Sequence, residues 1–105
     1  MYATIELFRN LPLASDLDAI HRMVLDRAAP LREMPGLVSK VWFNDPERQE
    51  FGAFLLWNDL EARAQFQGRE SAEQIGARWG VVPEIRNYDV YQRLQNSTVD
   101  IWPPS

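Results

Sequence analysis

The sequence predicts an α+β domain in the order β-α-β-β-α-β, and three observations point there. Four short segments alternate apolar and polar residues, two longer ones repeat apolar residues at helical spacing, and turn residues punctuate the joins. Residues 2–9 form the first predicted strand, with Ala3, Ile5 and Leu7 on one side against Thr4 and Glu6 on the other, and Asn10-Leu11-Pro12 ends it. From Ser15 the period changes. Ser15 with Asp18 three residues on is a capping-box-like start, and Leu17, Ile20, Val24, Ala28 and Leu31 recur at helical spacing up to a kink expected at Pro30. Met34-Pro35-Gly36 is a turn. Leu37 to Asn44 is the second strand, Asp45 to Gln49 a polar loop, and Glu50 to Trp57 the third strand, so the pair reads as a hairpin. Asn58 with Glu61 opens a second helix with apolar positions Ala62, Phe66, Ile75 and Trp79. It is interrupted near Gly68, restarts at Ser71 with Gln74, and closes at Gly80. The fourth strand lies within Val81 to Gln92. We expect residues 1–92 to be a single domain and residues 93–105 a polar tail tipped by Trp102. This order is the split β-α-β arrangement of ferredoxin-like folds, a four-stranded antiparallel sheet with two helices on one face.

Such a sheet leaves its second face bare, yet both faces of the hairpin carry large apolar groups. With Asp45 to Gln49 as the loop, Trp42 pairs with Gly52 and Lys40 with Phe54 on a mixed face shared with Glu50. Leu37, Ser39, Val41, Phe43, Phe51, Ala53, Leu55 and Trp57 form the helix-facing set. The mixed face is expected to meet the same face of a second copy, making a homodimer.

Composition narrows the function classes. The 105 residues, 46% hydrophobic and 25% charged, suffice for one core. A net charge of -4 without a basic tract argues against nucleic acid. The longest wholly apolar run, Ala53 to Trp57, is far below the roughly 20 residues of a bilayer helix. No charged-then-apolar leader precedes the first strand, so we expect a cytoplasmic chain beginning at Met1. Zero cysteines and one histidine remove thiolate chemistry and His-cluster metal sites within one chain.

The stretch Pro35-Gly36-Leu37-Val38-Ser39-Lys40-Val41-Trp42, the acidic loop, Glu50-Phe51-Gly52-Ala53-Phe54-Leu55-Leu56-Trp57 and Asn58-Asp59-Leu60-Glu61-Ala62 resembles the core of YdhR-type monooxygenases. These belong to the dimeric α+β barrel superfamily, together with antibiotic-biosynthesis monooxygenases. The likeness spans Pro35 to Phe66 and departs from the family pattern at Ser39, Ala53 and Trp57. It implies a dimeric barrel and a small-molecule substrate. In the related anthrone-type oxygenases, ionisation of a phenolic substrate yields a carbanion that reduces dioxygen without flavin or metal.

Candidate chemistry rests on few residues. His21 is the chain's one histidine, the side-chain type whose ordinary charge change lies nearest neutrality, and helical spacing places it with Leu17, Ile20 and Val24, facing the sheet as a general base or as a core-edge histidine. Lys40, the only lysine, needs a carboxylate if buried, and Glu6 and Glu50 are the candidates. An interfacial ion pair is the preferred role, with anion binding or a Schiff base as alternatives. Lys40, Trp42, Glu50 and Trp102 are therefore the expected dimer contacts. Trp42 opposite Gly52 would lay its ring over the glycine. Trp57, Phe66, Trp79, Tyr88 and Tyr91 are the candidate substrate-binding aromatics, core packing being the default for Trp57 and Phe66. Asn44, Asn87 and Asp89 are further polar groups able to orient an enolate. No phosphate loop, G-x-S-x-G elbow or metal-spaced acidic cluster is present, so an enzyme here would work without a cofactor or metal. Three readings follow: a cofactor-independent monooxygenase on a phenolic or polycyclic aromatic, polyketide-like metabolite; a polyketide cyclase or isomerase; or a non-catalytic ligand-binding dimeric module.

Overall fold

The computed structural model describes residues 1–94, so the expected contact of Trp102 lies outside the described residues. The elements are β1 (Tyr2–Phe8), a 3-10 turn at Pro12–Ser15, α1 (Leu17–Leu31), β2 (Leu37–Asp45), β3 (Glu50–Trp57), α2 (Leu60–Arg69), α3 (Ala72–Trp79) and β4 (Glu84–Asp89). All pairings are antiparallel in the order β2-β3-β1-β4, which is the expected ferredoxin-like α+β topology. Among the described residues no helix is long and apolar enough to cross a membrane.

Local chemistry explains the helix boundaries. Asp16, not Ser15, caps α1 by accepting from the Ala19 amide at 3.1 Å. Ser15 instead donates to the Pro46 carbonyl at 2.7 Å, tying the 3-10 turn to the hairpin loop. Asp59, one residue past the expected Asn58, caps α2 through the Glu61 amide at 2.9 Å. The expected second helix is two. Ser71 and Gln74 close a reciprocal capping box that starts α3, which ends at Gly80 with φ 83°, a left-handed conformation suited to glycine.

The hairpin register differs from the sequence reading by one residue. The loop is four residues, Pro46 to Gln49, because Asp45 pairs with Glu50, its carboxylate accepts from the Arg48 amide, and Gln49 turns through φ 55°. Trp42 therefore faces Ala53 and Lys40 faces Leu55, while Phe43 lies over Gly52. Because side chains alternate with period 2, this slip exchanges the faces of β2. Lys40 and Trp42 move to the helix side, and Val41 and Phe43 to the open side. A bulge at Leu37/Ser39 returns Leu37 to the core.

The helix-facing core has two parts. Phe8, Leu11, Ala14, Ile20, Phe51 and Ile75 pack under α1 and α3, whereas Ala53, Leu55 and Trp57 pack under α2 with Phe66. Thr4 is buried on this side and is fully served. Trp57 Nε1 donates to its hydroxyl at 3.2 Å, the hydroxyl donates to Asn87 at 2.8 Å, and Gln67 of α2 bonds Asn87 in both directions. Satisfied in this way, the network fixes α2 over β1 and β4.

Candidate functional site

Between the two core parts the packing opens into a cavity of about 260 Å³. Its floor is the sheet: Glu6 and Phe8 of β1, Lys40 and Trp42 of β2, Phe51 and Ala53 of β3. Its roof comes from Met23, Arg27 and Leu31 of α1, from Phe66 and Arg69 of α2, and from Ile75, Arg78 and Trp79 of α3. The space has a local cause. Ala53 pairs with Glu6 on one side and Trp42 on the other, so the row across the sheet has a methyl group where its neighbours are long. A leucine there would project into the void.

Glu6 is 8% exposed and Lys40 half-buried. Burial pushes the Glu6 carboxyl above its ordinary range, opposed by the Lys40 ammonium, with Glu70 adding to the rise and Arg27 opposing it. Burial likewise lowers Lys40, against the pull of Glu6. Each acts on the other through space, with no hydrogen bond between them. The Lys40 ammonium lies 4.9 Å from the Trp42 ring centroid, a cation–π contact that partly offsets its lost hydration. Phe8 meets Trp79 edge-on at 6.4 Å and Phe51 at 6.2 Å, giving the cavity one aromatic wall. At the mouth Glu70 accepts from Arg78 at 2.5 Å and pairs with Arg27 at 3.7 Å, and the Arg27 guanidinium lies 5.9 Å from the Trp79 ring centroid.

The structure redistributes the sequence-derived candidates. His21 is exposed and outside the cavity, because α1 turns Ile20, Met23 and Arg27 inward instead. Its expected direction toward the sheet is thereby corrected. Phe66 and Trp79 line the cavity, whereas Trp57 is fully buried behind Phe66, 5.5 Å between ring centroids. Tyr88 lies on the open sheet face, 46% exposed, and Tyr91 lies past β4, 99% exposed, so neither reaches the cavity. Lys40 and Trp42, expected at a sheet-to-sheet contact, are cavity residues through the register slip. Glu50 stays on the open side, paired with Arg9 at 3.5 Å. Asn44 donates to the Ala14 carbonyl and Asn87 belongs to the Thr4 network, so both serve packing. Asp89, at the end of β4 opposite Tyr2, is exposed and outside the cavity. Glu6 is the central site residue that periodicity passes over except as a partner for Lys40. Its signal is a glutamate between Thr4 and Phe8 on the strand side that carries Phe8.

No family model and no curated protein matches the sequence. Solved structures do match in shape. An antibiotic biosynthesis monooxygenase-type protein from Deinococcus radiodurans superposes with a TM-score of 0.68 at 14% identity, covering 91% of this chain and 98% of that one. SnoaB, a cofactor-independent oxygenase from Streptomyces nogalater, gives 0.59 at 13% identity, covering 90% and 97%. The heme-degrader MhuD from Mycobacterium tuberculosis, with two hemes in its active site, gives 0.61 at 14%, covering 90% and 100%. The chain shares its fold with these proteins. At 13–14% identity the likeness is one of fold, and it does not single out the YdhR-type group.

Proposed function

We propose that the chain is a cofactor-independent monooxygenase taking a compact phenolic or polycyclic aromatic substrate into the cavity, with Glu6 as the base. One juxtaposition carries the reading: a buried carboxylate and a lysine ammonium open together into an aromatic-walled cavity. The Glu6 carboxylate takes a proton from the substrate's hydroxyl or activated C–H, a transfer that its basicity, raised by burial, favours. Lys40 stabilises the resulting phenolate or enolate, whose charge would otherwise be costly beside the apolar cavity walls. The carbanion passes its electrons to dioxygen and a C–O bond forms. Protonation by Glu6 gives the hydroperoxide, and loss of water leaves a ketone, one oxygen atom staying in the product and the other leaving in water.

The likeness to SnoaB supports cofactor-free chemistry on this fold. Against a heme reading, the only histidine is exposed away from the cavity and the chain has no cysteine. The test is oxygen uptake with an anthrone. One dioxygen consumed per anthrone, with the rate falling about 10²- to 10⁴-fold in Glu6→Gln, is the expected result. A full rate in that variant refutes Glu6 as base, and turnover without oxygen uptake replaces the oxygenase with a cyclase or isomerase.

The same reading takes the working unit as a cytoplasmic homodimer. Val41, Phe43, Phe54 and Tyr88 stand 56, 42, 37 and 46% exposed on the open sheet face, an apolar surface that a second copy would cover. Glu50 and Arg9 sit at its edge.

A further inference from the structure

We infer that the cavity selects an anionic aromatic, whose carboxylate is held at the mouth by arginines of α1, α2 and α3 while its rings lie against Trp42 and Trp79. This rests on the aromatic cavity of the reading above but not on its oxygen chemistry. The chain as a whole is acidic, at -4, yet four of its eleven cationic side chains, Arg27, Lys40, Arg69 and Arg78, line this one space. Against them stand two carboxylates, Glu6 and Glu70, so the lining carries an excess of two positive charges (four against two). Such a concentration inside low-dielectric walls focuses potential on the opening and draws in anions.

The geometry at the mouth is already fitted to a carboxylate. Glu70 sits between two guanidinium groups from different helices, Arg78 on one oxygen at 2.5 Å and Arg27 on the other at 3.7 Å. The planar fork of arginine matches a carboxylate through paired donors. Arg69, on the last turn of α2, lines the same rim and has no carboxylate partner among the described residues. A ligand carboxylate between Arg69 and the Glu70 fork would leave the ring system pointing inward over Ala53, with Lys40 and Glu6 at its far end. The substrate class is therefore an aromatic acid that carries its ionisable reacting group away from its carboxylate.

Calorimetric titration with 2-naphthoate, its neutral amide 2-naphthamide, and 2-naphthyl phosphate tests this without any turnover. We expect naphthoate to bind about tenfold or more tightly than the amide at low salt, the size of one charge-assisted contact at a partly exposed rim. The preference should shrink to about threefold or less in Arg69→Gln, and added salt should erode it. Arg27→Gln gives a second reading from another helix, and thermal melts confirm that each variant is folded. Equal affinity for acid and amide, or an undiminished preference in both variants, overturns the inference. Tighter binding of the phosphate overturns the assignment to a carboxylate. Failure of all three probes to bind removes the aromatic cavity itself. A clear naphthoate preference in a protein that consumes no oxygen leaves this inference standing and defeats only the oxygenase reading.

Discussion

Replacing Gly52 by alanine tests the strand packing on which the site is built. Gly52 pairs with Leu7 of β1 and Phe43 of β2, at the centre of the sheet and one residue from Ala53. A Cβ there would stand 2.5 Å from Phe43 Cζ and 2.7 Å from Cε1, and would also collide with the Glu6 carbonyl oxygen. Phe43 is 42% exposed and can swing away. The Glu6 carbonyl cannot, because the β1–β3 ladder fixes it, so either the ladder opens or β1 moves. Overpacking of this kind costs about 1–3 kcal/mol, and the rigid partner places Gly52→Ala near the upper end, about 2–3 kcal/mol. In a domain of this size that lowers Tm by roughly 10 °C or more. Urea unfolding with an unchanged slope measures it directly. Gly68→Ala is the internal control. It lies within α2 with nothing within 4 Å of the added carbon, so it should stabilise by about 0.5–1 kcal/mol. A Gly52→Ala loss below about 0.5 kcal/mol would refute the close approach of β1 and β3 beside Glu6.

Other expectations can be checked with standard measurements. Turnover should follow a bell in pH, its acid limb above the ordinary glutamate value of 4.5 because Glu6 must be ionised. Its alkaline limb should lie below the ordinary lysine value of 10.5 because Lys40 must be charged. A single-limbed profile would dismiss one of the two roles. Stability runs in the opposite sense for Glu6. Its pKa is higher folded than unfolded, so its contribution is full below 4.5 and is lost as pH rises through the folded value; the melting-temperature difference between wild type and Glu6→Gln should therefore change as pH is raised above 4.5. His21→Ala should leave both oxygen uptake and Tm nearly unchanged, within about 0.5 kcal/mol for an exposed helix position, and a lost rate would restore the histidine as base. Phe54→Lys, at the middle of the open face, should turn a dimer into a folded monomer in sedimentation velocity at micromolar loading. A wild-type monomer, or a variant that still pairs, contradicts pairing through that face.

The sequence by itself determined the element order, the neighbourhood of each turn to within a residue or so, and the break before Ser71. These depend on local chemistry: alternation of two, helical spacing, caps, and glycine where φ is positive. It also determined that two apolar sheet faces exist. Only the tertiary structure decided which face the helices cover. Ala3, Ile5 and Leu7 make as good an apolar stripe as the core needs, yet the helices cover the side bearing Thr4, Glu6 and Phe8. A hairpin loop of four rather than five residues then carried Lys40 and Trp42 from the expected open face into the cavity. For His21 the stripe was too wide a guide: Ile20 and Val24 do pack on the core, but Leu17 is 61% exposed and the line into the cavity runs through Met23 and Arg27, which leaves His21 outside. Periodicity reports that a surface is amphipathic, but the depth of a cavity depends on side-chain volumes from different strands meeting in one row, as Glu6, Ala53 and Trp42 do. That meeting is set by register, which a turn one residue longer or shorter reverses, and so the site became legible only once the strands were paired.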